Sequence, residues 1–203
     1  MDIDPEQISA VDLYRIFTAT VLPRPIAWVS TTNATGGFNL APFSFFTVAS
    51  VSPPILCFSS LVDRDRGVKD TLANIRATKQ FVVNIVNQDL SEKMNNTAAP
   101  WPAGISEFIK ADLSPWPAST IATPGVEESP AKFECRLLEI IPLGTGTMAG
   151  NLVLGQVCGI NLSDELIIDG RINSRRLDAV GRMDGCDYTT TRERFTLPRA
   201  DIE

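Results

Sequence analysis

Ile26-Ala27-Trp28-Val29-Ser30-Thr31 runs into the turn residues Asn33-Ala34-Thr35-Gly36-Gly37 and then into a second apolar run at 38–41. Two short runs rich in β-branched and aromatic residues, joined by a glycine-ended turn, predict a β-hairpin. The pattern continues outward. Runs at 43–51 and 55–59 have strand lengths and are divided by Ser52-Pro53-Pro54. In 132–141, Phe133, Cys135 and Leu137 alternate with Lys132, Glu134 and Arg136, after which the phase slips to Leu138 and Ile140. Such a slip predicts a bulge or sharp bend, the device with which barrels turn corners. In 152–162, Leu152, Leu154, Cys158, Ile160 and Leu162 share one face, interrupted by Gln156, which predicts a half-buried strand. The glycines of Gly144-Thr145-Gly146-Thr147-Met148-Ala149-Gly150 precede a strand rather than a helix, so they read as a hairpin connection and not as a phosphate loop. Together the runs predict a mainly β protein, a barrel with peripheral α-helices.

The helices are short. Ile8, Val11, Leu13, Ile16 and Phe17 recur at helical spacing behind Asp4-Pro5, predicting a leading helix within 1–22 with Asp4 as N-cap, ending before Pro23-Arg24-Pro25. Val68, Leu72 and Ile75 predict an amphipathic helix over 69–78 that passes into a strand at 81–86, and Leu90 and Met94 a further short helix. The stretch 97–130 holds six of the 14 prolines and two of the three tryptophans. It is too apolar for a disordered linker and reads as an ordered covering loop. With 190–203 as a C-terminal tail, the expectation is one domain over 1–203.

Composition narrows the chemistry. Eighteen basic and 24 acidic residues give a net charge of −6, and histidine is absent. Without imidazole there is no Ser-His-Asp or Cys-His pair, no HExxH protease and no histidine-ligated metal. The acidic balance argues against nucleic acid and anionic membrane as partners. The N-terminus is acidic and amphipathic rather than basic then apolar, and no run is long enough to span a bilayer, so a cytoplasmic location is expected. Cys57, Cys135, Cys158 and Cys186 form no CxxC pair and are expected to be buried, reduced thiols.

Two segments carry candidate chemistry. Arg64-Asp65-Arg66-Gly67-Val68-Lys69-Asp70-Thr71 gathers three cations and a hydroxyl at the start of a predicted helix, where free N–H groups and the helix dipole favour an anion. The residues equally allow a solvated charged turn in which Asp70 caps the helix. In Asn39-Leu40-Ala41-Pro42-Phe43-Ser44-Phe45-Phe46, Pro42 implies a strand edge or a break, and exposed backbone there can hydrogen-bond a flat heteroaromatic ring. The same phenylalanines read equally as core packing.

Several strings taken in order are more specific. They are Arg24-Pro25-Ile26-Ala27-Trp28-Val29-Ser30-Thr31, then Asn39 to Phe46 as quoted above, Lys69-Asp70-Thr71-Leu72-Ala73-Asn74-Ile75 and Phe81-Val82-Val83-Asn84. Glu128-Ser129-Pro130, Phe133-Glu134-Cys135, Leu154-Gly155-Gln156-Val157, Gly181-Arg182, Tyr188 and Arg194-Phe195 follow. From Arg15 to Pro198 the chain resembles the flavin reductase-like family of FMN-binding split barrels, in its flavoredoxin branch. The resemblance implies a six-stranded, Greek-key-like barrel that forms a homodimer with FMN at the subunit interface. It implies an NAD(P)H:flavin reductase with NADH or NADPH as reductant and a monooxygenase or other electron acceptor downstream. The alternative is a flavoredoxin-like electron carrier reduced by a partner protein.

Carried over by position, Ser30, Thr31 and Thr32, with Ser59 and Ser60, resemble the polar lining near the ribityl chain and phosphate. Lys69, Asp70 and Thr71 match the phosphate segment, and Ala41, Pro42, Phe43 and Ser44 the border of the isoalloxazine ring. No metal and no catalytic side chain is implied, because the cofactor carries the reaction. Many relatives carry a histidine near the end of the long strand, where this chain has Gly159, Ile160 and Asn161.

Overall fold

The predicted first hairpin forms. In a computed structural model that describes residues 1–62, 67, 69–102 and 104–199, β1 (Ala27–Thr32) pairs antiparallel with β2 (Phe38–Phe43). Asn33 closes the turn: its Oδ1 accepts from the N–H groups of Thr35 and Gly37, and Gly36 takes a φ of 87°. The run at 43–51 is divided, since Ser44 and Phe45 separate β2 from β3 (Phe46–Val51), which pairs with β4 (Pro54–Leu61). β5 (Gln80–Asn84), β6 (Ala131–Pro142) and β7 (Gly150–Leu162) complete a seven-stranded antiparallel sheet in the order β2-β1-β5-β6-β7-β4-β3. Its two edges, β2 and β3, are consecutive in the chain, so the sheet curls until they meet at Ser44-Phe45. Counted as one stave, they make a six-stave barrel.

Period-two alternation explains why β1 is buried on both faces. Ala27 and Val29 point into the barrel with Phe58, Phe81, Cys135 and Val153, and Leu72 and Ile75 of α2 (Asp70–Thr78) pack with them. Ile26 and Trp28 face outward into a second core. There they meet Met94 of α3 (Ser91–Asn96), Phe108 of α4 (Glu107–Lys110), Leu113 and Val126. The described residues of 97–130 thus pack against the outward face of β1. Two devices tie them down. Asn84 donates to Trp28 O at 2.8 Å and accepts from the Val126 N–H at 2.8 Å. The buried Glu134 carboxylate accepts the N–H and hydroxyl of Ser119 through one oxygen and those of Thr120 through the other.

The predicted bulge is present. Leu154 opposes Glu139 and Gly155 opposes Leu137, which leaves Leu138 as the extra residue, while Cys158 is left over in the same way on β7. Four expectations need correction. The leading helix α1 (Ala10–Thr20) is capped by Ser9, which accepts from the Asp12 N–H, whereas Asp4 closes a separate turn through the Glu6 N–H. On β7 the apolar even positions are not the buried ones: Asn151, Val153 and Gly155 face inward, and Ile160 is 61 % exposed. Cys135 is buried and Cys57 half-buried, but Cys158 and Cys186 are exposed, so the cysteines do not form a uniformly buried set. The strand at 81–86 ends at Asn84.

The C-terminal part adds a small sheet in which Val180–Arg182 pairs with Arg24–Pro25 and with Tyr188–Thr190. Among the described residues no helix is long and apolar enough to cross a membrane. A Cβ on Gly155 would lie 2.2 Å from Cζ of the buried Phe81 and 3.2 Å from the Cβ of Cys135. We expect Gly155→Ala to lower stability by about 1–3 kcal/mol, measured by urea denaturation.

Candidate functional site

The meeting of the barrel edges at Ser44-Phe45 creates the candidate site. Leu40 donates its N–H outward to Glu107 Oε2 at 3.0 Å rather than to β1. Antiparallel alternation then puts Phe38, Leu40 and Pro42 at outward-facing positions, so Pro42 removes no ladder donor from the edge it occupies. Along this edge lie three adjoining cavities of about 250, 150 and 270 Å³, all bordered by Pro42.

The first is walled by Ala41, Pro42, Lys69, Asp70, Thr71, Trp101 and Glu107, and the second by Phe43, Ser44, Ser59 and Lys69. Lys69 and Pro42 thus join them. Lys69 occupies the N-cap position of α2 in an extended conformation and makes no side-chain cap hydrogen bond, and its Nζ lies 5.2 Å from the centre of the Phe43 ring. Asp70 is the first helical residue and not the cap. The N–H groups of Asp70 and Thr71 belong to the first turn, which finds no acceptor within the helix. Thr71 is held by Asn39, whose Nδ2 donates to its hydroxyl at 3.0 Å. Arg64 and Arg66 lie outside the described residues.

The remaining predicted residues do not line these cavities. Ser30 donates to Pro124 O at 2.6 Å, and Thr31 accepts from Asn74 Nδ2 at 3.0 Å. Thr32 donates to Thr123 Oγ1 at 3.3 Å. These three bind β1 to the covering segment and to α2. Ser60 is buried inside the barrel, and its Oγ has no hydrogen-bond partner among the described residues. In the stretch Gly159-Ile160-Asn161, Gly159 has no room for a side chain, since a Cβ would lie 2.8 Å from the Glu134 carboxyl carbon. Asn161 accepts from Lys132 Nζ at 3.3 Å.

Two residues at the site, Glu107 and the motif residue Arg24, are not among the predicted site residues. Burial pushes the Glu107 carboxyl above the usual range, against the Leu40 N–H that steadies its charged form. Arg24 is buried and donates to the carbonyls of Thr18, Val21 and Met183 at 2.6, 3.0 and 2.8 Å. Its Nε approaches Ser44 Oγ at 3.5 Å. No local periodicity marks either residue: Glu107 meets the Leu40 N–H from 67 positions away, and Arg24 joins the nearby carbonyls of Thr18 and Val21 to the distant one of Met183.

Residues 19–174 match the family described as the flavin reductase like domain. The chain belongs to the flavin reductase-like family. Within it, the protein BH2278 of Halalkalibacterium halodurans is 34 % identical over 204 residues, covering all of this chain and 98 % of that one. The crystal structure of nitrilotriacetate monooxygenase component B from Bacillus cereus superposes with a TM-score of 0.91 at 32 % identity, over 97 % of this chain and 98 % of that one. A Shewanella frigidimarina protein described as a flavin reductase with a split barrel domain has a TM-score of 0.81 at 24 % identity, over 98 % of this chain and 100 % of its own. The six-stave barrel is thus the split barrel of this family.

Proposed function

We propose that this flavin reductase-like chain is an NAD(P)H-dependent FMN reductase that works as a homodimer and passes electrons to a monooxygenase component or another acceptor. One observation carries the reading: Lys69, at the start of α2, faces the same continuous groove as the β2 edge at Ala41–Ser44. A cation with first-turn N–H groups suits a terminal phosphate, and the outward edge around Pro42 suits a flat ring. The residues present therefore fit FMN, and a terminal phosphate at Lys69 favours it over FAD.

When bound, the flavin supplies the redox chemistry, taking hydride from the reduced nicotinamide. The chain's part is to bind and orient. Lys69, Asp70 and Thr71 hold the phosphate, with Asn39 fixing the Thr71 hydroxyl. Ala41, Pro42, Phe43 and Ser44 border the ring, and Ser59 completes the polar lining. Ser30, Thr31 and Thr32 act from behind, holding β1 and so the β2 edge in register. Trp101 and the covering segment keep water from one side. None of these tasks needs an imidazole, in keeping with a chain that has none.

The homodimer is supported by the apolar side chains that this chain leaves uncovered, among them Val48 at 62 %, Val51 at 84 % and Ile160 at 61 % exposure. Burial of such a face is the ordinary driving force for association. Purified protein mixed with FMN or FAD should quench FMN fluorescence with the tighter dissociation constant and elute at twice the monomer mass. Protein that binds neither flavin ends the proposal. Reduction of bound FMN by a protein donor but not by NADH or NADPH would instead favour an electron carrier.

A further inference from the structure

The third cavity, of about 270 Å³, adjoins the groove but is not lined by Lys69, Asp70 or Thr71. Ile26, Met94, Asn95, Arg182 and Tyr188 line it alone, whereas it shares Pro42 and Ala98 with the first cavity and Tyr14, Pro42 and Ser44 with the second. Its chemistry differs from its surroundings. The Arg182 guanidinium carbon lies over the Tyr188 ring, 4.5 Å from its centre, and one of the guanidinium N–H groups is spent on Gly185 O. A guanidinium has five such donors, so most remain for a ligand. The Tyr188 hydroxyl donates to Asn95 Oδ1 at 3.2 Å, which turns the Asn95 amide nitrogen, a donor only, to other partners.

Behind the shared residue Ser44 lies a second cation. Arg24 approaches Ser44 and is satisfied by carbonyl oxygens, and neither Arg24 nor Arg182 has a carboxylate within ion-pair distance among the described residues. Asp184 is the acidic group that acts on Arg24 electrostatically. In a protein of net charge −6 this pocket is lined by one cation, Arg182, two tyrosine rings and the apolar side chains of Ile26 and Met94.

We propose that this cavity is the subsite for the second substrate, and that Arg182 sets its specificity by binding the anionic group of a ligand whose planar ring lies against Pro42 and Ser44. An apolar cavity of about 150 Å³ holds a benzene ring, so this one admits a ring with a charged substituent but not a whole dinucleotide. Two ligands share that chemistry: the ribose-phosphate half of the nicotinamide reductant, and an aromatic carboxylate acting as acceptor. The proposal takes its flavin neighbour from the function proposed above, whereas the anion site stands on Arg182 alone.

Calorimetric titration of the FMN-loaded protein with NAD⁺ and, separately, with benzoate tests it without turnover. At least one probe should bind the wild type, and the responding probe tells reductant from acceptor. Arg182→Gln should weaken that probe tenfold or more while FMN affinity stays within twofold, and Arg182→Lys should recover part of the loss. Asn95→Asp, at an exposed position, adds a like charge to the rim and should weaken the same probe at least fivefold even if Arg182→Gln fails to fold. Failure of both probes to bind the wild type, or unchanged probe affinity in these variants, overturns the proposal. Protein that holds no FMN but binds a probe through Arg182 would sink the flavin reading and leave the anion site standing.

Discussion

Replacing Lys69 with glutamate is expected to weaken FMN binding roughly 100-fold or more, whereas Lys69→Ala costs about tenfold, or about 1.4 kcal/mol. Both changes remove a cation from the start of α2, where the first-turn N–H groups alone still favour an anion. Only glutamate adds a like charge against the phosphate, in a groove that already carries Asp70 and Glu107. Lys69 is exposed, so solvent and salt screen part of the effect. The gap between the two variants should therefore narrow as ionic strength rises. Fluorescence quenching of FMN at low and high salt reads both quantities. Equal affinity in wild type and Lys69→Glu would place the phosphate elsewhere.

Glu134→Gln should cost roughly 3 kcal/mol at neutral pH, as buried hydrogen bonds to a charged group contribute about 1.5–3 kcal/mol each. Burial by itself would raise this carboxyl, but the hydroxyl and N–H donors of Thr120 and Ser119 outweigh it and hold the group below the ordinary glutamate value of 4.5. A carboxylate depressed in the folded state contributes its full stability above the unfolded value and loses it as pH falls through the folded one. The amide cannot mimic both oxygens: its NH₂ confronts N–H and hydroxyl groups that need an acceptor. Urea denaturation from pH 7 down through the acid range should show a difference between wild type and Glu134→Gln that is largest at neutral pH and shrinks as pH falls below 4.5. A difference that does not change with pH would contradict the four-donor account.

What could be read from the sequence was what repeats locally. The hairpin at Asn33–Gly37 and the bulge at Leu138 were both legible, the latter because a phase slip in a strand has one simple physical cause. The phase of β7 misled. Its apolar even positions lie on the more exposed face, and the inward face is the sparse one, where Gly155 lets the Phe81 ring approach. Ser9 and Asp4 are both good caps, and Pro5 drew the choice to the wrong one. At the site, Ala41–Ser44 and Lys69–Thr71 converge as the motifs imply. The hydroxyls of Ser30, Thr31 and Thr32 instead bond to Pro124, Asn74 and Thr123. Those partners sit in a helix and an aperiodic covering segment, whose placement follows from tertiary packing alone. Glu107 went unread for the same reason, and Arg24 and Arg182, although they stand in the motif strings, were given no place at the site.

The most direct test of the central claim is an anaerobic titration of the FMN-loaded protein with NADH and with NADPH, followed at the flavin absorption band. Prompt bleaching by at least one nicotinamide, in equimolar proportion to bound FMN, is the predicted result. A flavin band that stays unchanged with both would contradict the assignment as a nicotinamide-dependent reductase.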